Sequence, residues 1–131
     1  MIVLDASALL EIPVADSARH PCRGASVSGW RRVPFAHFAD VEVAQGLRRL
    51  VRTGEVSRDR AADAIADLTD FDLHRHPHLD FLNRAWKLRE NVTAYDAMYI
   101  ALSEALDAPI VTCDAPLGRA PGHRTHIEVI A

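Results

Sequence analysis

The stretch Asn91 to Leu106, N-V-T-A-Y-D-A-M-Y-I-A-L-S-E-A-L, places a helix at the centre of the fold. From Ala94 onward it is apolar or aromatic nearly all round, as expected of a helix packed inside a domain rather than laid on its surface. Asp96 interrupts that run. A buried charge costs free energy unless something pairs with it, and the nearest partner is the helix start itself. Thr93 serves as N-cap and sets Asp96 at the third helical position, facing the positive end of the macrodipole. Read alone, Asp96 is a capping acid.

Working outward, 131 residues at 49% hydrophobic and 25% charged suffice for a single domain, 1–131, with a buried core. Ile2-Val3-Leu4 meets Asp5 before it could become a signal-peptide core, and no later run approaches membrane-spanning length. A cytoplasmic protein with no membrane contact is therefore expected. Cys22 and Cys113 lack C-x-x-C or Cys/His ligand spacing, which argues against a zinc site or a disulfide framework. The formal charge of −3 weighs against a nucleic-acid binder, since such proteins are commonly basic.

The apolar run Ile2-Val3-Leu4 reads as a strand buried on both faces, and it stops at Asp5. Ala6 to Leu10 suits a helix or turn, so Asp5 is either an N-cap or an acid at the carboxyl end of a strand, where open α/β sheets bind ligands. Asp16 to His20 suits a short helix broken by Pro21 and Gly24, Ser26 to Gly29 a loop, and a short strand is expected to end near Pro34. In Phe35 to Thr53, the spacing of Phe38, Val41, Ala44, Leu47 and Val51 predicts a helix with that side on the core and Glu42 at its edge. Ser57 caps the next helix, with Ala62, Ile65 and Leu68 as its apolar side and Asp59, Asp63 and Asp67 as a solvated face. Phe71 to His76 suits a strand. His74, His76 and His78 alternate around Pro77 without Cys or carboxylate at ligand spacing, and read as a surface loop rather than a metal site. Leu79 to Arg89 is expected to be helical along Leu82, Ala85, Trp86 and Arg89. Ile110-Val111-Thr112 then forms a strand that ends, after Cys113, at Asp114, and Ile127 to Ile130 a last strand.

Strands alternating with helices define an α/β fold with a parallel sheet and right-handed crossovers. In such a sheet the strand carboxyl ends share one edge, so Asp5 and Asp114 share it. If Glu42 and Asp96 point there too, four carboxylates converge, which demands a cation. All-oxygen ligands suit Mg²⁺, with Mn²⁺ as a substitute. Such a metal lowers the pKa of bound water and shields phosphate charge, which suits phosphodiester hydrolysis.

The order Val3-Leu4-Asp5-Ala6-Ser7, Asp40-Val41-Glu42-Val43, Thr93-Ala94-Tyr95-Asp96-Ala97 and Val111-Thr112-Cys113-Asp114 resembles the PIN-domain family, and within it the VapC-type toxin ribonucleases. The resemblance spans nearly the whole chain. It implies a PIN-like three-layer α/β/α sandwich around a mostly parallel sheet. It also implies a metal-dependent endoribonuclease, a homodimer, and inhibition by a VapB-type antitoxin that itself contacts operator DNA. Asp5, Glu42, Asp96 and Asp114 match the family's acidic quartet, and Ser7 and Thr112 match hydroxyl positions beside it. Pro116 stands where some members carry a further polar or acidic residue.

Leaving out those four acids moves the formal charge from −3 to +1, and all but one of the 15 basic residues are arginine, which suits phosphate contacts. Arg31 and Arg32, and Arg48, Arg49 and Arg52, are the clusters an RNA path would follow. Two rivals remain: a non-catalytic PIN-fold binding module, expected to have lost one of the acids, and an aspartyl-nucleophile phosphatase. The phosphatase normally needs a second acid two residues after the first, where this chain has Ser7.

Overall fold

The computed structural model describes residues 1–14, 33–71 and 73–130. The expected short helix at 16–20, the loop at 26–29, and Cys22, Arg31 and Arg32 lie outside them. Strand β1 (Val3–Leu4) is followed at once by helix α1 (Ala6–Val14); β2 (Val33–Ala36) leads into α2 (Ala39–Arg52), and α3 (Arg58–Asp70) into β3 (Leu73–His76). A 3-10 turn at Leu79–Phe81 opens α4 (Leu82–Lys87), which hands over to α5 (Ala94–Leu106). The chain then forms β4 (Ile110–Thr112), the short α6 (Ala115–Gly118) and β5 (Ile127–Val129).

The strands form two ladders, β1–β4–β5 and β2–β3, in which every pairing is parallel, and β1 packs beside β2 where the ladders meet. Helices α1, α2 and α3 pack on one another as one group and α4 and α5 as another, giving an α/β/α sandwich. Parallel strands need long crossovers, and here β3 reaches β4 through two successive helices. Helix α5 packs on β1, β2 and β4 and is buried continuously from Ala97 to Ser103, which explains its nearly uniform apolar sequence. Strands β1 and β4 run the same way, so Asp5, just past β1, and Asp114, just past β4, share an edge.

Three expected apolar faces are rotated or misplaced. On α2 the buried residues are Ala39, Val43, Gly46 and Leu47, while Val41 is 70% exposed and Ala44 is also exposed. The buried face shares Leu47 with the expected stripe and otherwise consists of Ala39, Val43 and Gly46. At Gly46 an added Cβ would meet the end of the Leu10 side chain on α1, which would have to move to make room. Hydrophobicity alone favours the stripe through Val41 and Val51, but the face that meets α1 is the one buried. On α3, Ala64 and Leu68 are buried and Ile65 is partly exposed, whereas Asp59, Asp63 and Asp67 form the expected exposed row. On α4, Ala85 is buried but Leu82 and Trp86 are exposed, and the Arg89 guanidinium sits 4.9 Å from the Trp86 ring centroid. No helix among the described residues is long and apolar enough to cross a membrane.

Candidate active site

Asp5 is the most buried of the four acids, at 5% exposure, and its two oxygens are held from different directions. Oδ1 accepts from the Ser7 hydroxyl at 2.7 Å and from the Ala8 amide at 2.9 Å, so Asp5 does cap α1. Oδ2 accepts from the Thr112 hydroxyl, which comes from the end of β4. The same two hydroxyls accept from the chain that follows β4: Ser7 Oγ takes the Cys113 amide and Thr112 Oγ1 the Asp114 amide, each at 2.9 Å. Ser7 Oγ and Thr112 Oγ1 are themselves 3.3 Å apart. Two side chains thus tie the end of β1 to the end of β4 and fix where Asp114 leaves the sheet. Asp114 precedes α6, and its carboxylate makes no capping hydrogen bond there.

Asp96 keeps the capping geometry expected of it. Its amide donates to Thr93 Oγ1 at 3.2 Å, and that hydroxyl donates back to Asp96 Oδ2 at 2.8 Å. A carboxylate so placed gains from the helix terminus and from its hydrogen bond, and both influences lower an acid's pKa. The Asp96 carboxyl is instead raised: burial raises it most, the Thr93 hydrogen bond opposes that, and the charges of Asp114 and Asp5 raise it further. Glu42 behaves alike. Burial raises it, the hydrogen bond from Tyr99 works the other way, and the charges of Asp96 and Asp5 add to the rise. Glu42 thus feels the charges of Asp96 and Asp5, Asp96 those of Asp114 and Asp5, and no basic side chain is among the groups that shift either carboxyl.

They are linked by charge and not by contact. Among the described residues no three His, Cys, Asp or Glu side chains stand close enough to form a ready metal cluster. Glu42 and Asp96 are engaged by hydroxyl donors, Tyr99 and Thr93. The donor set is nonetheless carboxylate oxygen throughout, half-buried or deeper, and mutually repelling, which is the chemistry a hard divalent cation satisfies.

A groove of about 690 Å³ is lined by Ser7, Glu42, Gln45, Arg49, Phe38 and Tyr95 among others, and of the four acids Glu42 is the one on its wall. Arg49 thus shares that groove with Glu42. Arg48 and Arg52 do not: they line a separate cavity between α2 and α3 with Arg58 and Ile65. Of the alternating histidines, His74 and His76 lie not in a surface loop but on strand β3, paired with β2, and meet edge to face at 4.6 Å between centroids.

Sequence reading missed Tyr99. Its ring is buried and its hydroxyl donates to Glu42 Oε2 at 2.5 Å. Burial first and the bond to Glu42 second push the Tyr99 hydroxyl far up, so it remains a donor. A buried tyrosine hydroxyl needs a partner, and the one phenol inside the otherwise apolar Ala97–Leu102 run was the available signal.

Residues 2–122 match the PIN domain family model, and the chain belongs to that family. Within it, the chain is similar to ribonucleases of the VapC group. It is 36% identical to Ribonuclease VapC12 of Mycobacterium tuberculosis over the full length of both chains. It is 41% identical to Ribonuclease VapC1 of the same species over 95 residues, covering 72% of this chain and 71% of the relative. The fold is also that of PAE2754 from Pyrobaculum aerophilum, with a TM-score of 0.68 at 23% identity over 98% of this chain and 83% of the other. M. tuberculosis VapC20, described as a toxin that cleaves the sarcin-ricin loop, gives a TM-score of 0.62 at 18% identity over 90% and 93%.

Proposed function

We propose that the protein is a toxin endoribonuclease that hydrolyses RNA phosphodiester bonds at Asp5, Glu42, Asp96 and Asp114, with Mg²⁺ or Mn²⁺ held among them. The observation that carries this reading is the placement of Asp5 and Asp114 just past the parallel strands β1 and β4, with Glu42 and Asp96 near enough that each feels the charges of two of the other acids. The VapC relatives support the choice of RNA.

Bound there, a divalent cation supplies charge stabilisation to the phosphate and eases deprotonation of water. The chain's own part is positioning. Ser7, Thr112 and the Ala8 amide fix Asp5, and Tyr99 fixes Glu42. Ser7 is fully engaged, donating to Asp5 and accepting from Cys113, which makes it a brace rather than a nucleophile. The attacking group is then water. Its oxygen bonds to phosphorus, the bond to the ribose 3′ oxygen breaks, and that oxygen takes up a proton, leaving 5′-phosphate and 3′-hydroxyl ends. End-group analysis of cleaved RNA tests this. Products ending in 2′,3′-cyclic phosphate, or cleavage undiminished by excess EDTA, contradict it.

A VapB-type antitoxin is the proposed partner, with operator DNA contacted only through it and a homodimer as the working unit. Support comes from the VapC relatives and from the acids themselves, which attract an arginine carried on an apolar segment docked in the adjoining groove. Expression of the chain alone should arrest growth, and co-expression of its VapB-type antitoxin should relieve it. Harmless expression of active enzyme contradicts the toxin role.

A further inference from the structure

Tyr95 and Tyr99 lie one turn apart on α5 and meet the same side chain, Phe38. Both contacts are edge to face, at 5.7 Å and 5.4 Å between centroids. Their surroundings differ sharply. Tyr99 is 2% exposed with its hydroxyl on Glu42, whereas Tyr95 is 60% exposed and, among the described residues, has no hydrogen-bond partner for its hydroxyl. Tyr95 immediately precedes Asp96 and lines the same groove as Ser7, Glu42 and Arg49. An aromatic ring braced on one side and open elsewhere, next to a phosphate-processing site, is in the situation that unstacked bases exploit when single-stranded RNA binds protein.

We propose that Tyr95 is a base-stacking platform. The nucleobase flanking the cleaved phosphate lies on the Tyr95 ring while its phosphodiester reaches the acids, and Arg49, two turns beyond Glu42 on α2, takes a neighbouring phosphate. This rests on the ribonuclease reading above. Phe38 gives the platform its function as a pre-set surface, because a ring already packed against a neighbour loses little freedom when a base lands on it. Stacking accepts every base, since each has a π face. Tyr95 therefore contributes affinity and register with little choice of sequence.

A purely structural Tyr95 would do no more than shield Phe38, and leucine could replace it. The test uses a short single-stranded RNA cut at one position by the full chain in Mg²⁺ or Mn²⁺, with versions in which each flanking nucleotide in turn lacks its base. Tyr95→Leu should lower kcat/KM by about 5- to 150-fold at an unchanged melting temperature, and Tyr95→Phe, which restores the ring, should recover most of that loss. Removing the stacked base should slow the wild type by a similar factor yet slow Tyr95→Leu little further, since the two changes delete one interaction. Undiminished cleavage by Tyr95→Leu overturns the platform, and so does an equal abasic penalty in both proteins. If wild type cuts no RNA in Mg²⁺ or Mn²⁺, so that no such substrate exists, the ribonuclease reading itself is overturned, a failure seen without any variant.

Discussion

Asp96 does two jobs that pull its charge in opposite directions. As a capping acid it gains from the helix terminus, an effect of about 0.3–1 kcal/mol; as one of four coupled acids it is raised by burial, Asp114 and Asp5. The raised carboxyl means that the second influence wins. Asp96→Asn keeps an oxygen to accept from Thr93 and removes the charge. It should therefore abolish cleavage while the melting temperature in EDTA holds or rises. A mutant that melts lower and still cleaves RNA is only a cap. Thr112 offers a converse case. Its hydroxyl is fully buried, donates to Asp5 and accepts from Asp114. Thr112→Val keeps the shape but leaves a buried carboxylate short of a donor and an amide short of an acceptor, at a cost of about 1–3 kcal/mol. Urea unfolding should register that loss, and a midpoint unchanged from wild type contradicts the bracing role.

At the scale of elements, α4, α5 and the loop after α6 are pinned together by one carboxylate. Glu104 on α5 accepts Arg84 Nε at 2.7 Å and Nη2 at 2.9 Å, and the Arg124 amide at 3.0 Å. These bonds, Arg84 foremost, hold the Glu104 carboxyl down at about 2, against an ordinary 4.5. A lowered acid stabilises the native state above its unfolded value, and the contribution fades as pH falls from 4.5 towards 2. Glu104→Gln should therefore cost about 1.5–3 kcal/mol at neutral pH, and the gap between its urea midpoint and that of wild type should narrow as pH falls from 4.5 to 3. A gap that stays constant down to that pH removes the ionised clamp.

Element by element, legibility followed how much one physical cause dominated. Helix α5 was readable because burial on every side leaves one composition possible. The acid-terminated strands were readable because a continuous apolar run that stops at Asp has few other meanings. The span of helix α2 is legible but its buried face is not, since its sequence carries two apolar stripes and the choice between them lies in how it packs on α1. Tyr99 escaped for a related reason: an apolar-looking position hides a hydroxyl whose partner, Glu42, lies 57 residues away.

For the whole molecule, the parallel order of strands was implied by alternation of strand and helix, and it suffices to bring Asp5 and Asp114 to one edge. Whether Glu42 and Asp96 join them depends on how two helices dock, which periodicity does not encode. The four-acid reading therefore rests on motif order and resemblance, and the structure adds the charges of Asp96 and Asp5 acting on Glu42 and those of Asp114 and Asp5 acting on Asp96. The most direct test is thermal melting of wild type and of Asp5→Asn, Glu42→Gln, Asp96→Asn and Asp114→Asn, each in EDTA and across a Mn²⁺ titration. A ligand bound only by the native state stabilises it by about 1.4 kcal/mol at tenfold excess over its dissociation constant. Wild type should show that upward shift and all four variants should lose most of it; an equal shift in every variant would place the metal elsewhere and dissolve the shared site.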